Sequence, residues 1–297
     1  MIKKQKTSSV VFKVFAYVFC ILLAIISLLP FVIMIINSTR STTQIQQHAI
    51  SLVPSTHLLE NFKVLTGKTF DPIKGFINSM IISCGATICT VYFSTMTAYA
   101  LVAYDWRLRK PFFTMIMCVL MIPAQVTTIG FYQFMYSIGM TNNFLALILP
   151  AIASPTTVFF MRQFMIPSLP MEILQSARID GAGEFRIFNQ IVLPMMKPAM
   201  ATQAIFAFVS SWNNLFLPLI LLTKNDKYTM PIMVSLLNGD IYKTEYGAVY
   251  LGLLLTVLPL FVIYFLLSKY IIAGVALGGV KAVSYTHLRA HETLMNL

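Results

Sequence analysis

The stretch from Leu169 to Pro198 carries charge between two apolar runs that are each long enough to cross a bilayer. Its pattern predicts two short helices with a turn between them, because Pro170 suits a first helical turn and Gly181 suits the place where a helix stops. The charged residues are Glu172, Arg178, Asp180, Glu184 and Arg186. A charged helix–turn–helix can face only water, lipid headgroups or another protein, so its predicted chemistry is docking.

A second set of residues is polar but lies inside apolar runs, where an amide or a hydroxyl is costly unless it faces protein or water. Asn213 and Asn214 are the first candidates to line a transport path, and the ring of the preceding Trp212 would suit the apolar face of a sugar. The further candidates are Gln125, Thr127, Thr128, Tyr132 and Gln203. Hydrogen bonding between helices is the alternative role for each of them.

The sequence carries no pattern of a catalytic or cofactor site. It lacks the G-x-x-x-x-G-K-[ST] phosphate loop, so we expect that the chain does not bind or hydrolyse ATP itself. It also lacks H-E-x-x-H, and His48 and His57 lie in a polar stretch. None of the four cysteines forms a C-x-x-C pair, so neither a disulfide framework nor a metal site is expected.

The composition indicates the elements that must hold these residues. Of the 297 residues 58% are hydrophobic and 10% are charged, whereas a soluble domain has about 25% charged residues. We therefore predict an all-α membrane protein with six transmembrane helices, a cytoplasmic N-terminus (1–9) and a cytoplasmic helix–turn–helix (167–198). The predicted spans cover residues 10–36, 76–104, 111–135, 144–165, 199–222 and 247–272 within a transmembrane domain of residues 10–282.

The distribution of basic residues predicts the orientation. If the N-terminus is inside and each span crosses once, 14 of the 21 Lys and Arg residues face the cytoplasm. Such an excess follows the positive-inside rule and places both termini and the charged loop in the cytoplasm. No acidic or basic residue lies deep in a predicted span, which favours a neutral solute over an ion-coupled relay.

The charged loop resembles the coupling loop, or EAA motif, of permease subunits of ABC importers, and most closely the second permease of maltose-type carbohydrate importers. Gln175-Ser176-Ala177 stands at the place of the family's Glu-Ala-Ala, so glutamine replaces the motif's glutamate. Asp180-Gly181-Ala182 follows, and Ile191-Val192-Leu193-Pro194 closes the motif. Residues 211–219 and 269–281 resemble the fifth span and the C-terminal end of the same family.

The resemblance implies a fold, a function and partners. The fold would be that of a type I ABC importer permease in a bacterial inner membrane, and the chain would itself hold no cofactor. Its partners would be a second homologous permease, two ATPase subunits that bind ATP and Mg²⁺, and an extracytoplasmic sugar-binding protein. The residues implied in ATPase coupling are Glu172, Gln175, Ser176, Ala177, Asp180, Gly181, Ala182, Ile191, Leu193 and Pro194.

Other functions remain open at this stage. The same importer architecture could carry a peptide, phosphate or an osmolyte instead of a sugar. A self-contained secondary transporter is a further alternative, although the sequence shows no inverted repeat. A membrane-embedded enzyme is the third, although no nucleophile motif supports it.

The last residues, 283–297, fit no family pattern, and we interpret them as a non-native tail. His287 and His291 stand four residues apart there, and on a helix they could bind a metal.

Overall fold

The computed structural model describes the backbone of residues 2–67, 70–238 and 244–279, and the side chains of residues 12–67, 70–123, 126–237 and 244–265. The tail at 283–297 lies outside this range. Within it every regular element is helical, which confirms the all-α prediction. The α-helices are α1 (Ile2–Ser38), α2 (Thr42–Gln47), α3 (Leu58–Thr66), α4 (Pro72–Ala103), α5 (Arg109–Leu120), α6 (Ala124–Ser137), α7 (Leu145–Ile148), α8 (Pro155–Ser168), α9 (Met171–Ile179), α10 (Glu184–Ile187), α11 (Leu193–Trp212), α12 (Phe216–Leu221), α13 (Met230–Asn238) and α14 (Tyr246–Gly279).

Five helical stretches in the described residues are long and apolar enough to cross a membrane. They are Phe12–Ser38, Pro72–Ala103, Leu145–Ser168, Glu184–Trp212 and Tyr246–Phe265. The third of the six predicted spans, 111–135, is not among them, because α5 ends at Leu120 and α6 begins only at Ala124. Pro123 lies in the break, where it removes a helix donor and disfavours helical geometry at the residue before it.

The predicted fifth span, 199–222, is also interrupted. Helix α11 ends at Trp212, and α12 begins at Phe216. Asn213 and Asn214 are therefore not part of a continuous helix but lie in the break between two helices. Their exposed side chains are held at the place where the backbone leaves the helical path.

The chain divides into two compact units, each of which has its own internal contacts. The first lies within Met1–Ile73 and Ile232–Leu258. Here the buried guanidinium of Arg40 donates to the Asn37 side chain at 2.9 Å and to the His48 carbonyl at 2.7 Å. A Cβ at Gly247 would lie 2.5 Å from the Arg40 carbonyl oxygen, so glycine allows this close approach. The polar segment after α1 thus forms a hydrogen-bonded cap.

The second unit lies within Lys74–Pro231 and Pro259–Leu297 and is organised along α4. Near the start of α4, the Asn78 amide donates to the backbone carbonyls of Asp226 and Tyr228, both at 2.9 Å. Near its end, the Tyr99 hydroxyl donates to Glu184 at 3.1 Å. A helix rises about 1.5 Å per residue, so these contacts are about 30 Å apart, roughly the thickness of the hydrocarbon core. The polar segment at 223–230 and the charged loop are therefore at opposite ends of α4.

Candidate functional site

The charged loop forms a helix that ends in a well-defined cap. Helix α9 covers Met171–Ile179, and Gly181 has a φ of +79°. The backbone N–H of Gly181 donates to Arg178 at 3.0 Å, and that of Ala182 donates to Ala177 at 3.0 Å. These two bonds form a Schellman motif, which satisfies carbonyls at a helix end and needs a left-handed residue, usually glycine. The left-handed backbone at Gly181 thus explains why the expected turn needs glycine there.

An apolar core lies beneath this loop. Leu174, Ile187 and Met196 are fully buried in one cluster with Met161 and Met165 of α8. Ala177 and Ala182, the two residues joined by the Schellman bond, also pack against this cluster. Side chains in such a close-packed interior shift little independently. The loop is therefore a firm projection rather than a flexible tether.

The structure separates the predicted coupling residues into two groups. Glu172, Gln175, Ser176, Asp180 and Gly181 are exposed and available to another protein. The side chains of Ala177, Ala182, Ile191 and Leu193 are partly buried against the cluster, and they shape the loop from below. Pro194 is exposed in the first turn of α11.

Sequence reasoning missed the apolar part of the exposed loop surface. Ile179 is 86% exposed and Phe185 is 73% exposed. Ile173 is 46% exposed, whereas its neighbour Leu174 is fully buried. Large apolar side chains exposed beside charged ones mark a candidate protein interface. The helical register of α9, with Leu174 inward, was the signal that could have placed Ile173 outward.

A carboxylate joins this loop to α4. Glu184 accepts a hydrogen bond at Oε1 from Arg178 Nε at 2.7 Å, and the Arg178 side chain is 32% exposed. Its Oε2 accepts from the hydroxyls of Tyr99 and Tyr104. The guanidinium carbon of Arg178 also lies 5.3 Å from the centre of the Tyr104 ring. The sequence showed these charges but not the two tyrosines as their partners, because about eighty residues separate them along the chain.

The ionisation of this cluster favours its hydrogen bonds. The hydrogen bond to Glu184 raises the pKa of the Arg178 guanidinium above its usual value, so the side chain remains a cation. Burial, and then the hydrogen bond to the Glu184 carboxylate, raise the pKa of the Tyr104 phenol. Tyr104 therefore keeps its proton at neutral pH and acts as a donor to the carboxylate.

A π-helical turn connects the loop to α11. It covers Phe188–Val192, and its closing bond runs from the N–H of Leu193 to the Phe188 carbonyl. Pro194 follows directly and has no N–H to donate. π-Turns occur mostly as single irregular turns within α-helices, frequently at functional sites. The segment that leaves the loop thus changes its helical winding where it enters the span.

A cavity of about 640 Å³ lies beside α6 and the break between α11 and α12. Its lining residues are Thr127, Thr128, Phe131, Pro150, Ala153, Asn214, Phe216 and Leu217. Three of the predicted path residues, Thr127, Thr128 and Asn214, are brought together here. The described part of the lining contains hydroxyl, amide and aromatic groups but no charged side chain.

The other path candidates have different places. Asn213 is exposed in the same break but does not line the cavity. Gln203 is 8% exposed within α11, and Tyr132 packs its ring 6.2 Å from that of Tyr136. The side chain of Gln125 lies outside the described residues.

Trp212 differs from the expectation that its ring faces a sugar. It is 1% exposed, and its ring packs 5.6 Å from that of Phe208 and 5.9 Å from that of Phe76. Trp212 is therefore a core residue, because its large apolar ring is buried against two other aromatic rings, and such packing stabilises a core. Phe131 and Phe216 are the aromatic side chains that border the cavity.

The chain is similar to known transport proteins. Residues 90–276 match the model of the family described as "binding-protein-dependent transport system inner membrane component". An arabinooligosaccharides transport system permease protein, AraQ of Halalkalibacterium halodurans, is 36% identical over 94% of this chain and 99% of its own length. The lactose transport system permease protein LacG of Rhizobium radiobacter is 32% identical over 88% of this chain and 93% of its own.

A solved structure agrees with the observed fold. It belongs to a bacterial ABC transporter involved in the import of the acidic polysaccharide alginate. The TM-score is 0.76 with 22% sequence identity, and the match covers 89% of this chain and 98% of the other.

Proposed function

Because the chain belongs to the binding-protein-dependent transport system inner membrane component family, we propose that it is a permease subunit of an ATP-driven carbohydrate importer. In this proposal the chain forms part of the translocation path, and separate ATPase subunits bind and hydrolyse ATP. The observation that carries the coupling role is the capped helix α9, which exposes one face and rests its other face on a fully buried core. ATPase closure would move this projection, and the attached spans would follow.

The exposed residues of the loop supply the docking face. Glu172, Gln175, Ser176 and Asp180 offer polar groups that would bind in a cleft of an ATPase subunit. Ile179, which is 86% exposed, adds an apolar contact to this polar face. Gly181 lets the chain turn away directly after the docking helix.

The cavity beside α6 supports a neutral, hydroxyl-rich solute. Thr128 and Asn214 can exchange hydrogen bonds with sugar hydroxyls, and Phe131 and Phe216 can cover the apolar face of a sugar ring. Relatives of this chain are named for arabinooligosaccharides, lactose and diacetylchitobiose. Another relative, 28% identical, is named for sn-glycerol-3-phosphate, which makes that solute a second candidate. A phosphate-bearing solute would need a cation, and the described lining of this cavity has none.

The importer would be assembled from several chains. The proposed partners are a second, similar permease, two ATPase subunits and an extracytoplasmic sugar-binding protein. The chain would lie in a bacterial inner membrane with both termini in the cytoplasm, as the basic residues indicate. The position of the 223–230 segment at the opposite end of α4 from the charged loop supports an extracytoplasmic location for that segment.

Affinity isolation and uptake test this function together. The tagged chain, expressed in the cell it comes from, should co-isolate an ATPase and a second permease. A deletion strain should lose uptake of one of four labelled probes: arabinotriose, lactose, diacetylchitobiose or glycerol 3-phosphate. Loss of only glycerol 3-phosphate uptake would favour the second solute. Isolation of the chain without any ATPase, together with uptake that persists when ATP is depleted, would refute the proposal.

A further inference from the structure

The coupling helix α9 is preceded along the chain by α8 and is joined to α11 through α10 and the π-helical turn, whereas α4 is linked to it through side chains. The apolar cluster beneath α9 includes Ala98 and Tyr99 of α4, but apolar packing is non-directional and does not set an orientation as a hydrogen bond does. Directional contacts are supplied at Glu184. Its carboxylate accepts from the Tyr99 hydroxyl at 3.1 Å and from the Tyr104 hydroxyl, which lies one residue beyond the end of α4.

The same carboxylate is fixed on its loop side. Arg178, the penultimate residue of α9, donates to both oxygens of Glu184, at 2.7 Å from Nε and 3.4 Å from Nη2. An exposed ion pair contributes little to stability, so its importance here is geometric rather than energetic. Arg178 and the two tyrosines approach one carboxylate from different elements, which ties α9 to the end of α4.

The N-terminal end of α4, far from Glu184, is hydrogen-bonded to the segment at 223–230. The Asn78 amide donates to the carbonyls of Asp226 and Tyr228, and the Ser79 hydroxyl accepts from the N–H of Met230 at 2.9 Å. Between Asn78 and Tyr99 the helix is unbroken. A continuous helix with a hydrogen-bonded attachment at each end moves as one body and transmits displacement along its length.

We propose that Glu184 is the positioning residue that fastens the coupling loop to α4, and that α4 carries the loop's displacement to the segment at 223–230. This inference rests on the proposed function, since the displacement comes from an ATPase. It adds a route that leads from the nucleotide side to the outer surface without passing through the cavity.

Hydrogen exchange on the intact importer tests this route. The importer is isolated in nanodiscs through a tag on this chain, and it is compared without nucleotide and after trapping with Mg-ATP and vanadate. In the native chain, the amides of 223–230 should change their exchange rate on trapping. In Glu184→Gln and in the double variant Tyr99→Phe/Tyr104→Phe, this change in the exchange rate of 223–230 should be about fivefold smaller, or smaller still. A factor of about five is the lower end of the coupling measured between distant sites. ATP hydrolysis and co-isolation of the ATPase should remain.

Matched controls separate this route from a general loss of structure. Asp105→Asn removes an exposed carboxylate close to Tyr104, and Tyr264→Phe removes an exposed hydroxyl far along the chain. Both controls should keep the full response at 223–230. The double tyrosine variant keeps the Arg178–Glu184 pair and removes only the bonds to α4, so it serves if Glu184→Gln fails to fold.

Each outcome decides a separate claim. An unchanged nucleotide response at 223–230 in the double tyrosine variant overturns the route. If the native importer hydrolyses ATP but its 223–230 segment never responds, the route is also overturned while the proposed function stands. If no ATPase accompanies the native chain and uptake persists when ATP is depleted, the proposed function itself is refuted, and the route with it.

Discussion

Replacement of Gly181 by alanine should weaken the coupling loop through the backbone alone. Gly181 has a φ of +79°, and a Cβ built there meets no atom within 4 Å. The only cost is therefore the left-handed conformation, which is about 1–2 kcal/mol for a residue with a Cβ. Valine should cost more, about 2–3 kcal/mol, because a β-branched side chain restricts the backbone further. The Schellman bonds of Gly181 and Ala182 would be lost when the turn relaxes.

The chain offers matched controls for this prediction. Gly183 also meets no neighbour within 4 Å, but its φ is −69°, which any residue adopts. Gly183→Ala should therefore change stability by no more than about 0.5 kcal/mol, since a gain in chain stiffness offsets a weaker helix cap. Gly181→Asn should lose less than Gly181→Ala, because asparagine enters the left-handed region more readily.

Two measurements on the nanodisc-embedded chain check the prediction. Thermal unfolding should shift by about 2–4 °C for each kcal/mol lost, so Gly181→Ala should melt lower than Gly183→Ala. The amount of ATPase that co-isolates should decrease in the order native, Gly181→Asn, Gly181→Ala, Gly181→Val. Equal effects of alanine at Gly181 and at Gly183 on both measurements would refute the backbone argument.

Four further predictions concern the core, the docking face, the cavity and the polar segment. Leu174→Ala should lower the free energy of unfolding by about 2–5 kcal/mol, because Leu174 is fully buried. Ile179→Ala should leave thermal stability unchanged and reduce ATPase co-isolation. If instead Ile179→Ala lowered stability and Leu174→Ala did not, the assignment of Leu174 to the core and of Ile179 to the docking face would be wrong. Asn214→Ala should reduce sugar uptake more than Asn213→Ala in vesicles with equal ATPase content, because only Asn214 lines the cavity. Asn142→Ala should lower the free energy of unfolding by about 1–3 kcal/mol, as measured by thermal unfolding. The Asn142 side-chain oxygen accepts hydrogen bonds from the N–H groups of Thr223 at 2.7 Å and Lys224 at 3.0 Å, and the φ of Asn142 is +57°. Asn142→Asp keeps the acceptor and should therefore lose less stability.

The sequence predicted the parts of the fold that local rules determine. The helix over Met171–Ile179 and the turn at Gly181 follow from a proline, a run without helix breakers and a glycine. The effect of each proline was not predictable in the same way. Pro30 and Pro259 lie within continuous helices, whereas Pro123 lies in a break, because neighbouring packing decides whether a helix continues through a proline.

The parts of the site that depend on distant residues could not be predicted. Tyr104 and Glu184 meet only after folding, and no spacing rule links them. The orientation of Trp212 was equally hidden, since an aromatic residue beside two asparagines suits both a core and a sugar site. A period of 3.6 residues shows that a helix has an inward face, but it does not show what lies opposite that face.

The gap between Trp212 and Phe216 limits what can surround this part of the chain. Acyl chains cannot solvate peptide groups, so an irregular backbone at membrane depth persists only against protein or water. If the predicted fifth span, 199–222, crosses the membrane, we expect the side of it that bears Asn213 and Asn214 to face protein or water rather than acyl chains. Mass spectrometry after hydroxyl-radical footprinting should find this gap hydrated, or shielded by a companion subunit, at a depth where its helical neighbours stay dry.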